Sequence, residues 1–279
     1  MSAAPTGPVL VTGCSSGIGK ATAEALIASG HTVYATARNP ETITDLETAG
    51  ARVLALDVTS EESMSSAVKV IETEHGRVGA LVNNAGYGEY GTIEETDLDK
   101  VRTMFETNVF GLARLTQLVL PAMREARSGR VVNVGSMGGR FTFPVGGYYH
   151  ATKYAVEAIT DALRNEVHGF GIGVSLVEPG LIRTGFEQTA LTSDAAAAQA
   201  HSPYAGLRAA STSNTTGGYG NPMVTVGPGA VARVIVKAVE SRYPKPRYVV
   251  TSAARVLIAT RTLGGDRVWD FMVRQQFKG

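Results

Sequence analysis

Tyr149 and Lys153 stand four residues apart, a spacing that on a helix puts a phenol and an ammonium on one face, a turn from each other. Such a pair can do acid–base work, because the ammonium favours negative charge on the phenol oxygen and the phenol gives or takes a proton. The spacing alone is a weak signal in a chain of 279 residues with 10 tyrosines. Ser136 strengthens it. Its hydroxyl ends an apolar run as Val134-Gly135-Ser136, thirteen residues before Tyr149 across a glycine-rich loop. In doubly wound sheets the C-terminal ends of strands face the ligand crevice, so a serine there can meet the phenol and the ammonium. Tyr148, next door, has no lysine four residues on.

A second group of residues offers an anion site. The first apolar run passes straight into Thr12-Gly13-Cys14-Ser15-Ser16-Gly17-Ile18-Gly19 and then a helical pattern. Backbone N–H groups and the positive end of a helix dipole attract a pyrophosphate, and glycine lets the main chain approach it. In this strand-to-helix setting the turn reads as dinucleotide binding, through Gly13, Ser15, Ser16, Gly17, Ile18 and Gly19. The second run ends at Thr36-Ala37-Arg38 without the acid that would bond a ribose 2′-hydroxyl. Arg38 offers a planar cation for a 2′-phosphate, so NADP (NADPH) is expected and NAD less so. Asp57 closes the third run as Leu56-Asp57-Val58. There it reaches the adenine or begins the turn before Thr59, and spacing leaves both readings open.

The elements that must position these groups follow from periodicity. Short β-branched runs at 9–11, 32–36, 53–56, 80–82, 131–134 and 174–177 alternate with helical patterns at 21–29, 61–74, 98–124 and 150–168. Continuous apolarity marks the runs as parallel strands covered on both faces. The fold class is therefore α/β: one domain, a doubly wound parallel sheet flanked by helices. In the 98–124 helix, Val101, Phe105, Val109, Leu112, Leu115 and Val119 form one apolar stripe, with Thr96 and Asp99 as a capping box. Residues 189–221 are rich in Ala, Ser, Thr and Gly and read as a loop or mobile lid over the substrate. A helix at 230–241, a strand at 248–251 and an amphipathic tail ending near Phe277 complete the chain.

Composition narrows the function. Hydrophobic residues are 44% and charged residues 18%, the balance of a compact chain. The formal net charge of +1 makes nucleic acid an unsuitable main partner. The single cysteine, Cys14, excludes an internal disulfide and reads as packing in a reducing compartment. No charged n-region with an apolar h-region opens the chain, and no apolar run approaches the ~20 residues of a membrane span. A cytoplasmic location without integral membrane association is expected. The five histidines show no metal-ligand spacing, so no metal is expected.

Taken together, Thr12-Gly13-x-x-x-Gly17-x-Gly19, Asn83-Asn84-Ala85-Gly86, Asn108, Ser136, Tyr149-x-x-x-Lys153 and Pro179-Gly180 resemble the short-chain dehydrogenase/reductases in order and spacing, over nearly the whole chain. The wording of the glycine turn, Val33-Tyr34-Ala35-Thr36 and the run after Ser136 looks like the 17β-hydroxysteroid and retinol dehydrogenase branch. The resemblance implies a Rossmann-type cofactor core at about 6–185, a substrate lid at about 186–228 and a C-terminal helix, strand and tail at 229–279. It implies NADP-dependent interconversion of a ketone or aldehyde and an alcohol, with Tyr149 as general acid. Ser136 would bond the carbonyl oxygen, and Lys153 would bond the nicotinamide ribose and supply much of the phenolate's stabilisation. Against an ordinary phenol pKa of ~10, that stabilisation amounts to about 4 kcal/mol near neutrality. Asn108 becomes a local helix break that holds a relay water, or else a polar residue on an exposed face. Asn84, Ala85 and Gly86 are assigned to the adenosine side of the cofactor, and Pro179, Gly180, Ile182 and Thr184 to the carboxamide side.

Two other readings compete. A nucleotide-sugar epimerase shares Tyr-x-x-x-Lys but shows a different glycine spacing. A redox-sensing protein keeps the fold without turnover, yet usually loses the Tyr or the Lys. Phe141, Phe143, Pro144 and Val145 after Ser136, with Met223 and Val224, read as an apolar mouth for a steroid-, retinoid- or lipid-like carbonyl compound, or as core. The stretch at 253–277 caps the pocket, packs on a partner subunit or rests on a membrane surface. A homodimer or homotetramer is expected from the resemblance.

Overall fold

The computed structural model describes residues 7–186, 192 and 202–277. Its strands are β1 (Val9–Val11), β2 (Val33–Ala37), β3 (Arg52–Ala55), β4 (Ala80–Asn83), β5 (Gly129–Val134), β6 (Ile172–Glu178), β7 (Leu181–Ile182), β8 (Thr225–Val226) and β9 (Arg247–Val249). Seven form a parallel sheet in the order β3-β2-β1-β4-β5-β6-β9, while β7 and β8 make a small parallel pair. The period-two alternation of strand side chains splits the core into two layers. Val9, Val11, Ala80, Val82, Val132 and Val134 face the helices Gly17–Ala28 and Pro228–Glu240. Leu10, Leu81 and Val131 face Glu61–His75, Leu112–Glu125 and Gly147–Glu166. Winding reverses between β1 and β4, and the crevice at such a reversal is where doubly wound sheets bind ligands.

Three local expectations are corrected. The single helix that periodicity gave at 98–124 is Leu98–Phe105, a π-helical turn Glu106–Gly111, and Leu112–Glu125, with the turn where the resemblance implied a break. The wider turn, an expansion frequent at functional sites, carries Asn108, whose amide accepts from Tyr87 N (3.0 Å) and donates to Tyr87 O (2.8 Å). There is no capping box at its start: Thr96 Oγ1 donates to Thr92 O, and Asp97 caps by accepting from Asp99 N (2.9 Å).

The third correction concerns the lid. Residues 205–220, read as loop, form the helix Ala205–Gly220 despite its Ser, Thr and Gly content. Tertiary contacts override weak propensity here. Arg208 pairs with Glu95 at 2.8 Å, both side chains buried, and Tyr204 donates to Glu94, which fastens the helix start to the loop before Leu98. The rest of the expected lid at 189–201, apart from Thr192, lies outside the described residues. The tail is a helix, Ser252–Gln276, kinked at Gly265. Among the described residues no helix is long and apolar enough to cross a membrane.

Candidate active site

The dinucleotide end is made of main chain. After β1 and β4, two neighbouring strand ends are stitched together: Thr12 Oγ1 accepts from Asn84 N and Ala85 N, both at 3.0 Å. Asn84 Nδ2 donates to Thr12 O (2.9 Å) and Gly13 O (3.1 Å). Gly13 turns with φ +71°, and a Cβ on Gly19 would lie 2.1 Å from Gly13 O, so the turn admits no side chain at either point. Ser16 precedes the Gly17–Ala28 helix without a side-chain cap, which leaves the helix's first N–H groups directed at the crevice. Those N–H groups, the dipole behind them and the bare glycine turn fit a pyrophosphate. Cys14 is buried under the turn, its thiol pushed up to about 12 by burial and donating to Val11 O, as the packing reading requires.

One cavity of about 990 Å³ runs from this turn to the proposed reacting groups. Of the residues singled out in the sequence, Gly13, Ser15, Ser16, Gly17, Ile18, Arg38, Asp57, Val58, Asn84, Ala85, Gly86, Ser136, Tyr149, Lys153, Pro179, Gly180, Ile182 and Thr184 all line it. Gly19 and Asn108 stand behind its wall. Arg38 is exposed at the rim, within electrostatic reach of the Tyr87 phenol. Asp57 Oδ1 accepts from Thr59 N (2.9 Å) and Thr59 Oγ1 (2.8 Å), so it makes the turn and faces the cavity at once. Asn108 is 2% exposed, which removes the exposed-face alternative; its Nδ2 also donates to Thr152 Oγ1.

Ser136 follows β5, and Tyr149 and Lys153 follow on the Gly147–Glu166 helix. Lys153 Nζ donates to Val134 O (3.2 Å) and lies 5.9 Å from the Tyr149 ring centroid. Burial pushes the Tyr149 phenol up to about 12, a hydrogen bond with Ser136 acting the other way. Burial also brings Lys153 down to about 8. The enclosure that brings the two groups together strips water from both, which raises the pKa of the phenol and lowers that of the ammonium. Tyr149 is held as a phenol, a proton donor.

The far end of the cavity is made of side chains that periodicity did not reveal. Tyr90 stacks on Tyr149 (centroids 5.5 Å, 27°), and Phe186 packs against both. Tyr219 comes from the Ala205–Gly220 helix, and Leu257 and Phe277 from the tail. Phe141, Phe143 and Pro144 line the cavity as expected, but Met223 and Val224 do not, and Met223 is 86% exposed. The tail caps the pocket: Trp269 Nε1 donates to Thr142 O (3.1 Å), and its ring packs on Phe141 and Phe143. Only neighbours in space, not in sequence, signal these residues.

The sequence profile of the short chain dehydrogenase family matches residues 8–195. The chain is 45% identical over 179 residues to a 3-ketodihydrosphingosine reductase of Bacteroides thetaiotaomicron, an alignment covering 64% of this chain and 65% of that protein. A short-chain dehydrogenase from Streptomyces avermitilis superposes with a TM-score of 0.81 at 37% identity, covering 93% of this chain and 94% of that one. The closed form of a serine dehydrogenase complexed with NADP+ gives 0.76 at 26% identity, over 88% and 94% of the two chains. Profile, sheet order and the meeting of Ser136, Tyr149 and Lys153 on one cavity agree, and the chain belongs to the short-chain dehydrogenase family.

Proposed function

We propose that the protein interconverts a ketone or aldehyde and the corresponding alcohol with NADP(H), acting on a lipophilic, lipid-like substrate. The observation that carries the reading is the single cavity that joins a glycine turn fit for pyrophosphate to a buried serine, phenol and ammonium. Arg38 at the rim favours a 2′-phosphate. The NADP+ of the serine dehydrogenase and the keto-lipid named for the Bacteroides reductase support cofactor and substrate class respectively.

When bound, the nicotinamide supplies the hydride for reduction and, once oxidised, a positive charge. The chain's own residues do the rest. Ser136 donates its hydroxyl hydrogen to the carbonyl oxygen and stabilises charge that develops there. Tyr149 gives the phenolic proton to the same oxygen as the carbon is reduced; its raised pKa keeps that proton in place until it is needed. Lys153 holds its ammonium near the resulting phenolate, where it favours the charged form. Tyr90 and Phe186 pack on the phenol ring and exclude water around it.

The test is oxidation of NADPH and of NADH by the purified protein over long-chain keto-lipid, steroid and retinoid carbonyl compounds, with Tyr149→Phe as control. Turnover is expected with NADPH above NADH, and to fall roughly 10³-fold in the variant, the range of a lost general acid. A fully active Tyr149→Phe would sink the mechanism.

A further inference from the structure

His150 belongs to none of the roles above, yet it is 6% exposed and lies against both the reacting phenol and the loop that carries Ser136. Its Nδ1 is 2.8 Å from Gly138 O and its Nε2 is 3.3 Å from Phe143 N. A carbonyl oxygen only accepts and a backbone N–H only donates, so the two partners require a neutral ring with the hydrogen on Nδ1. Burial acts the same way, lowering the ring's pKa.

The bond to Gly138 reaches Ser136 in two steps. The peptide unit whose C=O accepts from His150 donates its N–H, that of Gly139, to Ser136 O at 3.0 Å. The preceding unit donates Gly138 N–H to Ser136 Oγ, also at 3.0 Å. A hydroxyl that already accepts directs its one hydrogen elsewhere, here towards Tyr149 and a carbonyl oxygen beside it. The imidazole fills the space at Gly138 so closely that a Cβ there would lie 2.6 Å from Nδ1. At the other end of the loop, Phe143 is stacked on Trp269. One ring therefore ties the helix of Tyr149 to both ends of the Ser136 loop.

We infer that His150 is a positioning residue for the reaction: as the Nδ1–H tautomer it fixes the Gly138 peptide and thereby aims the Ser136 hydroxyl at the reacting oxygen. The inference rests on the reductase reading, and it separates His150 from residues that merely fill the core. Three variants distinguish its two bonds. His150→Phe keeps a ring and loses both, His150→Asn keeps a donor for Gly138 O, and His150→Gln keeps an acceptor for Phe143 N.

With NADPH and the best carbonyl substrate of the panel, His150→Phe should lower kcat about tenfold while KM and NADPH affinity stay within about twofold, the size of one lost oriented hydrogen bond. His150→Asn should recover to within about threefold of the parent, and His150→Gln should not. A change confined to KM, or Gln rescuing better than Asn, overturns the inference; where His150→Phe fails to fold, the Asn and Gln pair decides. Independently of turnover, ¹⁵N NMR of the ring should show Nδ1 protonated and Nε2 bare at pH 7, and the opposite tautomer or an imidazolium would refute it. If Tyr149→Phe is also active, the reductase reading falls; if Tyr149→Phe is dead and His150→Phe is fully active, this inference alone falls.

Discussion

At the dinucleotide end of the cavity the walls are glycine turn, strand ends and helix N-terminus, held by bonds such as Asn84 Nδ2 to Thr12 O and Gly13 O. At the carbonyl end they are rings from separate stretches of chain: Tyr90, Phe143, Phe186, Tyr219 and Phe277. Main chain takes up the same shape for many sequences, whereas a wall of side chains changes with every substitution. On the proposed function, the first end holds one cofactor, and the second can be re-cut for different substrates on the same frame. Substitutions at the two ends should therefore fail in different ways.

The largest effect is expected at the backbone end. Gly19→Ala brings a methyl to 2.1 Å from Gly13 O and 2.5 Å from Asn84 Nδ2, which is itself tied to Thr12 O and Gly13 O, so there is no room. The turn has to open, and NADPH affinity should fall more than ~100-fold, about 2.7 kcal/mol. Titration of intrinsic fluorescence with NADPH measures it. Affinity within a few fold of the parent would show that the turn yields, and the contrast between the two ends would dissolve.

At the side-chain end, Trp269→Ala removes the ring that packs on Phe141 and Phe143 and the bond to Thr142 O. The tail should loosen over the pocket mouth. KM for the carbonyl substrate should rise about tenfold, near 1.4 kcal/mol, with NADPH affinity unchanged within about twofold. A parallel loss of NADPH binding would mean that the two ends are mechanically one. An unchanged KM would return the tail to packing alone.

The same division decides what was legible in the sequence. Strands, their parallel arrangement and the glycine turn were readable because backbone demands leave local marks: continuous apolar runs, glycines at a strand-to-helix turn, Tyr149 and Lys153 one turn apart. The rings around Tyr149 were not, since Tyr90, Phe186 and Tyr219 are brought together by folding over more than a hundred residues. The Ala205–Gly220 helix was missed for a related reason. Its Ser, Thr and Gly residues point to loop, and the buried Arg208–Glu95 pair that anchors it joins positions 113 apart. Asn108 stood between these cases: a helix break was expected there from the resemblance, but its partners on Tyr87 became visible only in three dimensions.

Lys153 sits where the two ends meet, and its effect on stability is the most diagnostic. Its ammonium has an ordinary pKa of 10.5, and burial lowers this to about 8 in the fold. Between those values the unfolded chain binds more protons than the folded one, so stability rises with pH across that interval and the cost of burying the charge is felt in full below pH 8. Lys153→Met keeps an unbranched stem without the charge. It should raise stability at pH 7 by about 1–2 kcal/mol, after allowing for the lost bond to Val134 O, and Tm by a few degrees. The gain should shrink towards pH 10, while turnover is lost throughout. Melting curves of parent and variant at the two pH values give the answer. A gain independent of pH would mean that the ammonium is already relieved inside the fold, and that the cost of Lys153 to stability comes from packing and not from its charge.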